Sequence, residues 1–467
     1  MNAYSVFYQL PQPLKNLTST IYGLIQKKRR YGGDYESLIQ IFLKNEYKSR
    51  ELLYNESLHK LRDMLIHCSR NVPFYKNILS VKDIESAQSP LEALRKIPVL
   101  TKNELRLKND SFISLNAIQN NNLKFHYTSG STGTPLRVYT LPRDDQFNFA
   151  LHNRYLSYGN VSYENRKIMF GGKPIVSMKQ KKPPFWVENY FEKQLYCSSY
   201  HMSMNNLRYY HEKILKFSPE FIIGYASAIT LYAKYIKSLG IKYDGKKLSG
   251  VFTSSELLAK ENRRLIEKIF KCKVYDGYSL AEYVTSVTQC EFGEYHISPE
   301  AGILEILDAD GNNLKNGEVG RIVCSTLFND TMPLLRYDTG DLGAKYVDGY
   351  YCKCGRTTEI LMKLEGRAMS YLVLPNDKKV GSAGLTTGFI NNEIIEAQFV
   401  QNNVHETKLN LVVTNNFSVE DERILINEMD RRLNPLKIKV EYVNEIKSGK
   451  NGKKDLIINN LEKNRYS

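Results

Sequence analysis

The chain has 467 residues, of which 42% are hydrophobic and 25% charged, so it is globular in composition and long enough for two or more domains. Its formal net charge of +15 raises nucleic acid and anionic lipid as partners. The excess is diffuse, with small clusters at Lys27-Lys-Arg-Arg30 and Lys179-Gln-Lys-Lys182, and no nucleic-acid-binding motif accompanies it, so specific nucleic-acid binding is not expected. No apolar run reaches the roughly 18 residues of a membrane span, and no basic-then-apolar leader opens the chain; a cytoplasmic protein is expected. Seven cysteines, irregularly spaced, argue against a disulfide framework and for thiols or a metal site.

Residues 1–34 carry Leu17, Ile21 and Leu24 at helical spacing and end in a basic cluster. They read as a helix packed on the body with a solvated basic end; the alternative is a basic amphipathic helix in peripheral contact with a membrane. A helical pattern from residue 35 to 70 stops at Asn71-Val-Pro73, because proline disfavours the helical conformation in the residue before it. Ile97-Pro-Val-Leu-Thr-Lys102 reads as a helix start. The stretch Tyr127-Thr-Ser-Gly-Ser-Thr-Gly-Thr-Pro135 follows, then a short strand at 136–140 and a helix at 145–156. Apolar runs at 167–172, 221–225, 248–255 and 273–278 close in or near glycine and alternate with helical segments, which implies parallel sheets covered on both faces. Ligands on such sheets bind beyond the carboxyl ends of the strands. From 302 to 351 short strands and turns suggest an antiparallel or barrel-like subdomain. Residues 368–467 alternate strands with a charged helix at 419–433, as in a small α+β domain. The expected fold class is α/β: a large domain over 35–367 with layered parallel sheets, then a small domain over 368–467.

The hydroxyl-rich loop is suited to a polyphosphate. Its glycines, Gly130 and Gly133, let the backbone bend so that amides and the hydroxyls of Thr128, Ser129, Ser131 and Thr132 face an anion. It is not a Walker A loop, since no lysine follows the second glycine. Four stretches join it in order: Asp276-Gly-Tyr-Ser-Leu-Ala-Glu282, Arg336-Tyr-Asp-Thr-Gly-Asp341, Glu365-Gly-Arg367 and Gly452-Lys453. Together they resemble the adenylate-forming (ANL) superfamily. Asn71-Val-Pro-Phe-Tyr75, Gly224-Tyr225, Thr253-Ser-Ser-Glu256 and Cys352-Lys-Cys-Gly-Arg356 bring the resemblance closer to the CapK-like branch of the phenylacetate–CoA ligase family, over residues 35–460.

The resemblance implies an ATP-dependent, AMP-forming ligase that turns a carboxylic acid into an acyl-adenylate and passes the acyl group to a thiol or amine, with CoA a candidate acceptor. Such chemistry calls for cradled phosphates, a metal and a cation on the developing charge. By resemblance the loop from Thr128 to Gly133 holds the β- and γ-phosphates, and Ser255, Glu256, Asp276, Tyr278, Ser279 and Asp341 belong to the nucleotide site. Tyr278 would stack on adenine, Asp341 would accept the ribose hydroxyls, and Glu282 would hold Mg²⁺. Arg367 would reach the ribose or α-phosphate, and Lys453 would be the catalytic lysine, with Lys450 its rival. Two departures stand out. Leu136 occupies the place where many relatives end the loop in lysine, and Ala368-Met-Ser370 replaces the acidic hinge expected before a mobile small domain. The branch implies a setting in capsule or surface-polysaccharide biosynthesis. An aryl- or acyl-CoA ligase, or a binding protein that keeps the fold without catalysis, are the other readings.

Cys290-x₅-His296 and Cys352-x-Cys354 supply three thiols and one imidazole, the count of a closed zinc site, and relatives often carry a Cys/His cluster there. Cys68, Cys197, Cys272 and Cys324 sit in apolar patterns and read as core thiols.

Overall fold

The computed structural model describes residues 3–128, 136–173, 175–177, 179–367, 371–376, 379–381, 385, 389, 393–447 and 454–461. The first hundred residues are helical: α1 (Ala3–Gln9), α2 (Gln12–Tyr31), α3 (Tyr35–Asn45), α4 (Arg50–Asn71), α5 (Val81–Ser86) and α6 (Pro90–Arg95), followed by α7 (Lys102–Leu107) and α8 (Leu115–Ile118). Their starts follow capping chemistry. The side chains of Ser49, Ser80, Ser89 and Thr101 each accept a backbone N–H of the first turn, and α4 ends one residue before Val72-Pro73. The hairpin β1 (Lys124–Tyr127) and β2 (Arg137–Thr140) flanks the hydroxyl-rich loop. After α9 (Pro142–Ser157) come β3 (Lys167–Gly171), β4 (Trp186–Asn189), β5 (Gln194–Ser198), α10 (Met204–Phe217), β6 (Phe221–Tyr225), α11 (Ala226–Ser238), β7 (Gly250–Ser254), α12 (Lys260–Phe270) and β8 (Val274–Ser279). The rest is strand-rich: β9 (Ser286–Gln289), β10 (Tyr295–Ile297), β11 (Gly302–Leu307), β12 (Gly320–Thr326), β13 (Tyr337–Lys345), β14 (Ile360–Arg367), β15 (Tyr371–Val373), β16 (Lys379–Gly381), β17 (Ile394–Gln401), β18 (Glu406–Val413), α13 (Val419–Leu433), β19 (Lys437–Tyr442) and β20 (Ile457–Asn459).

The chain packs as two units. One gathers Met1–Ser19, Asn165–Val274 and Glu365–Ser467. In it β5, β3, β6 and β7 run parallel with β4 antiparallel on the β5 edge, as the strand–helix alternation implies. Ile168, Phe170, Ile222 and Val251 from the strands are buried with Leu207, Tyr210, Ile214, Ile229, Tyr232 and Ile266 from α10, α11 and α12. Gly224 is required by close approach, since a β-carbon there would meet the Phe170 carbonyl oxygen at 2.1 Å. The C-terminal strands form a mixed sheet in the order β19-β18-β17-β20. Leu425, Met429 and Leu433 of α13 close its core against Phe399, Leu409 and Leu411, a small α+β arrangement as expected.

The other unit gathers Thr20–Glu164 and Tyr275–Leu364. Its strands follow the order β11-β12-β13-β14-β10-β9-β8, and the antiparallel texture expected from 302 onward is present in β11-β12-β13. Leu61, Leu65, Cys68, Tyr75, Leu100, Phe112, Val287, Ile322 and Leu335 form its main core. Cys68, Cys197 and Cys324 are buried as core thiols, and Cys272 is half-buried. The N-terminal helix exists, but Leu17, Ile21 and Leu24 are exposed rather than packed.

Candidate functional site

β1 delivers the chain to the loop, and Thr128 closes its neck. The Thr128 amide donates to the Leu136 carbonyl (2.9 Å), and the Leu136 amide donates to Thr128 Oγ1 (3.2 Å). Ser129, Gly130, Ser131, Thr132 and Gly133 lie outside the described residues. Leu136 is buried in the main core of its unit, which gives a physical reason for the missing lysine: an ammonium there would be desolvated among apolar side chains. His126 Nε2 lies 2.8 Å from the Ala281 carbonyl. That contact pins the strand entering the loop beside the turn that carries Glu282.

Glu282 is buried, and one of its oxygens meets two donors. Tyr337 donates its hydroxyl at 2.9 Å and Lys102 its ammonium at 3.3 Å. Lys102 opens α7 because Leu100 pairs with the backbone beside Tyr337: the Leu100 amide donates to the Arg336 carbonyl (2.8 Å) and the Asp338 amide to the Leu100 carbonyl (2.9 Å). Arg336 is itself structural. Its guanidinium donates to the carbonyls of Arg95, Ile97 and Gly311 and pairs with buried Glu305 at 3.3 Å. Within Arg336-Tyr-Asp-Thr-Gly-Asp341, then, the arginine builds the scaffold, Tyr337 aims at Glu282 and Asp341 meets Tyr278. The Tyr278 hydroxyl donates to Asp341 Oδ2 at 2.9 Å, and burial beside that carboxylate raises its pKa. Gly340 takes φ +75° in the Thr-Gly-Asp turn.

Asp276 is buried and accepts the Tyr295 hydroxyl at 2.5 Å, whereas Ser279 is exposed at the end of β8. Ser255 and Glu256 belong to the other unit. Ser255 is exposed with φ +69°, and Glu256 accepts the amide (2.8 Å) and hydroxyl (3.1 Å) of Ser227 at the start of α11. Arg367 ends β14, and its side chain is not described; Lys450, Lys453 and 368–370 lie outside the described residues. Lys102 and Tyr337 were not foreseen as partners of Glu282. Tyr337 lies inside a recognised motif, but a contact across 55 residues has no local signal, and Lys102 reads in sequence only as a helix start.

The four predicted metal ligands converge. The ligand atoms of Cys290, His296, Cys352 and Cys354 all lie within 4.8 Å of one another. Cys290 ends the β9 side of the hairpin into β10, where Gly293 turns the chain at φ +88°, and His296 sits in β10. On the other side the Cys354 amide points at Cys352 Sγ (3.5 Å) and Gly355 takes φ +82°. Cys290 Sγ and Cys352 Sγ are 3.7 Å apart, and Cys354 Sγ is 3.3 Å from His296 Nε2. Tetrahedral zinc with ordinary bond lengths would set these edges at about 3.8 Å and about 3.6 Å, so the donor set fits the ion. Thr358 Oγ1, 3.0 Å from His296 Nδ1, orients the ring so that Nε2 faces the thiols. Burial, then Arg356, Arg154 and Arg50, push the His296 pKa down to about 3, which keeps the imidazole neutral as a ligand must be. Arg356 leaves the knuckle to pair with buried Glu46 (3.1 Å) and with Glu291 (2.8 Å).

Known proteins resemble this chain in sequence and in fold. The family described as CapK C-terminal domain matches residues 372–460. Protein CapK of Staphylococcus aureus is 28% identical over 98% of this chain and 99% of its own length. Over its whole length the chain is similar to CapK. The phenylacetate-coenzyme A ligase of Thermus thermophilus is 26% identical over 70% of this chain and 72% of its own. In fold, a 2-hydroxyisobutyryl-CoA ligase in the postadenylation state superposes with a TM-score of 0.70 at 16% identity, over 91% of this CapK-like chain and 93% of that one.

Proposed function

We propose that the protein is an ATP-dependent, AMP-forming ligase that activates a carboxylic acid. The observation that carries the reading is the buried carboxylate of Glu282, oriented by Tyr337 and Lys102 beside the pinned entry to the phosphate loop, with the Tyr278–Asp341 pair in the same unit. In the reaction an oxygen of the acid attacks the α-phosphorus of ATP, the bond to the bridging oxygen breaks, and pyrophosphate leaves. A thiol or amine then attacks the acyl carbon and AMP leaves. Loop amides and hydroxyls from Thr128 to Gly133 hold the phosphates, Tyr278 and Asp341 hold the nucleoside, and Arg367 and Lys453 meet the charge at the α-phosphate, with Lys450 the rival lysine. Ser255, Glu256, Asp276 and Ser279 belong to the same proposed site. Glu282 would hold Mg²⁺, whose charge offsets that on the phosphates. The cluster of Cys290, His296, Cys352 and Cys354 would hold a structural zinc, as a site closed by four protein ligands leaves no position for substrate.

The small domain is taken as 368–467, a boundary supported by the family match at 372–460, after a large domain at 35–367 and the helical segment 1–34. A cytoplasmic setting is supported by seven cysteines without a disulfide. No helix among the described residues is long and apolar enough to cross a membrane. CoA is one acceptor; a sugar amine in surface-polysaccharide biosynthesis is the other. The second reading is a binding protein without catalysis, favoured by buried Leu136 and by the ammonium already paired with Glu282. Carboxylate-dependent ATP–pyrophosphate exchange, screened over aromatic acids, fatty acids and amino acids, separates the two. Exchange with one class of acid supports the ligase; none with any acid, from folded zinc-loaded protein, leaves the binding protein.

A further inference from the structure

Helix α2 is amphipathic in the reverse sense. Successive side chains turn by about 100° around a helix, so Leu14, Leu17, Ile21, Leu24 and Ile25 fall in one narrow stripe while Gln12, Asn16, Ser19 and Gly23 fall opposite. The polar stripe faces inward. Gln12 Nε2 donates to the Trp186 carbonyl (2.8 Å), the Glu188 amide donates to Asn16 Oδ1 (3.0 Å), Asn189 Nδ2 donates to the Ser19 carbonyl (3.0 Å), and Gly23 is buried. The five aliphatic side chains of the other stripe are between 46 and 64% exposed. A helix that docks by hydrogen bonds and turns its large apolar residues outward is made for a second, apolar environment.

Charge decides which environment. α2 contains no Asp or Glu, Lys27 and Lys28 are exposed near its end, and the chain carries +15 overall. The spacing of Leu14, Leu17, Ile21 and Leu24 also suits pairing with a second copy, but a like helix offers those lysines no carboxylate. An anionic lipid surface offers an apolar interior and negative charge together. We propose that the outward face of α2 docks the protein on an anionic lipid bilayer, with Leu14, Leu17, Ile21, Leu24 and Ile25 entering the interface and Lys27 and Lys28 meeting the headgroups. Tyr22, 53% exposed, is of the type that settles at the headgroup level.

The test is sedimentation of the full chain with vesicles of phosphatidylcholine alone or mixed with phosphatidylglycerol. The expected result is binding to the mixed vesicles only, weakened by added salt, with at least a tenfold loss in the Leu17→Glu/Ile21→Glu variant and about a fivefold loss for each of Lys27→Gln and Lys28→Gln. Far-UV circular dichroism checks that the first variant folds, and the lysine variants supply the readout if it does not. No binding to mixed vesicles, or equal binding to both vesicle types, overturns the proposal. So does a dimer in light scattering that Leu17→Glu/Ile21→Glu dissociates without any vesicle binding by the parent protein.

Discussion

Tyr337 and Lys102 reach the same oxygen of Glu282, and they differ in what they can do for it. The lysine is a point charge on a flexible stem, 30% exposed; the tyrosine is a rigid, fully buried donor that fixes where the carboxylate points. Tyr337→Phe keeps the ring in the core and removes only that donor. The expected outcome is a 10–100-fold higher Mg²⁺ requirement for exchange with little change in melting, the size seen when an outer-shell partner of a metal ligand is lost. An unchanged Mg²⁺ dependence would separate Glu282 from the metal. Asp144 supplies a pH signature. Its carboxylate is buried, accepts the Leu141 amide (2.7 Å) and the Thr331 hydroxyl (2.5 Å), and has its pKa raised by burial from 3.8 to about 7. A folded pKa above the unfolded one contributes stability that is complete below the unfolded value and lost as pH rises through the folded one. The wild type should therefore lose melting temperature relative to Asp144→Asn between pH about 4 and about 7. Parallel melting curves across that range would mean that Asp144 is ionised in the folded protein.

At the scale of elements, the hairpin of β9 and β10 and the turn from Cys352 to Gly355 each bring two ligands. Neither piece is long enough to bury them alone, and the cluster they form is among the smaller cores of its unit. A shared ion would join the two. Cys352→Ser is expected to abolish stoichiometric zinc in elemental analysis of protein purified without chelator, and to lower the melting midpoint by at least about 5 °C. Parent protein without zinc would refute the centre outright. Helix α2 belongs to the same scale. Its helical period is plain in the sequence, but period alone does not say which side of a helix faces the body, and the polar side won here through hydrogen bonds to Trp186, Glu188 and Asn189.

At the scale of the whole molecule, each packing unit is assembled from separated stretches of chain: three in one, two in the other. The residues proposed for adenylation are likewise drawn from many stretches, from Thr128 to Lys453. Lys453→Ala is expected to lose exchange by a factor of at least about 10² while its melting curve matches the parent. Full exchange in that variant would move the role to Lys450.

Motif order and ligand counts were legible because they rest on local chemistry. Thr101 lies in the stretch that announces the start of α7, and three thiols with one imidazole suffice to suggest zinc. Alternating apolar runs and helical segments likewise announce a parallel sheet. The partners of a charge do not follow from neighbours in the chain. Arg336 looked like part of a binding motif and is instead a scaffold held by three carbonyls and Glu305, and Lys102 looked like a helix start and reaches Glu282. The sequence by itself therefore determined the kinds of element, their order and the order of the motifs, since these depend on contacts over a few residues. Tertiary structure alone decided which of their groups meet and which face of α2 looks outward, since those outcomes depend on which distant groups compete to bury or pair each side chain.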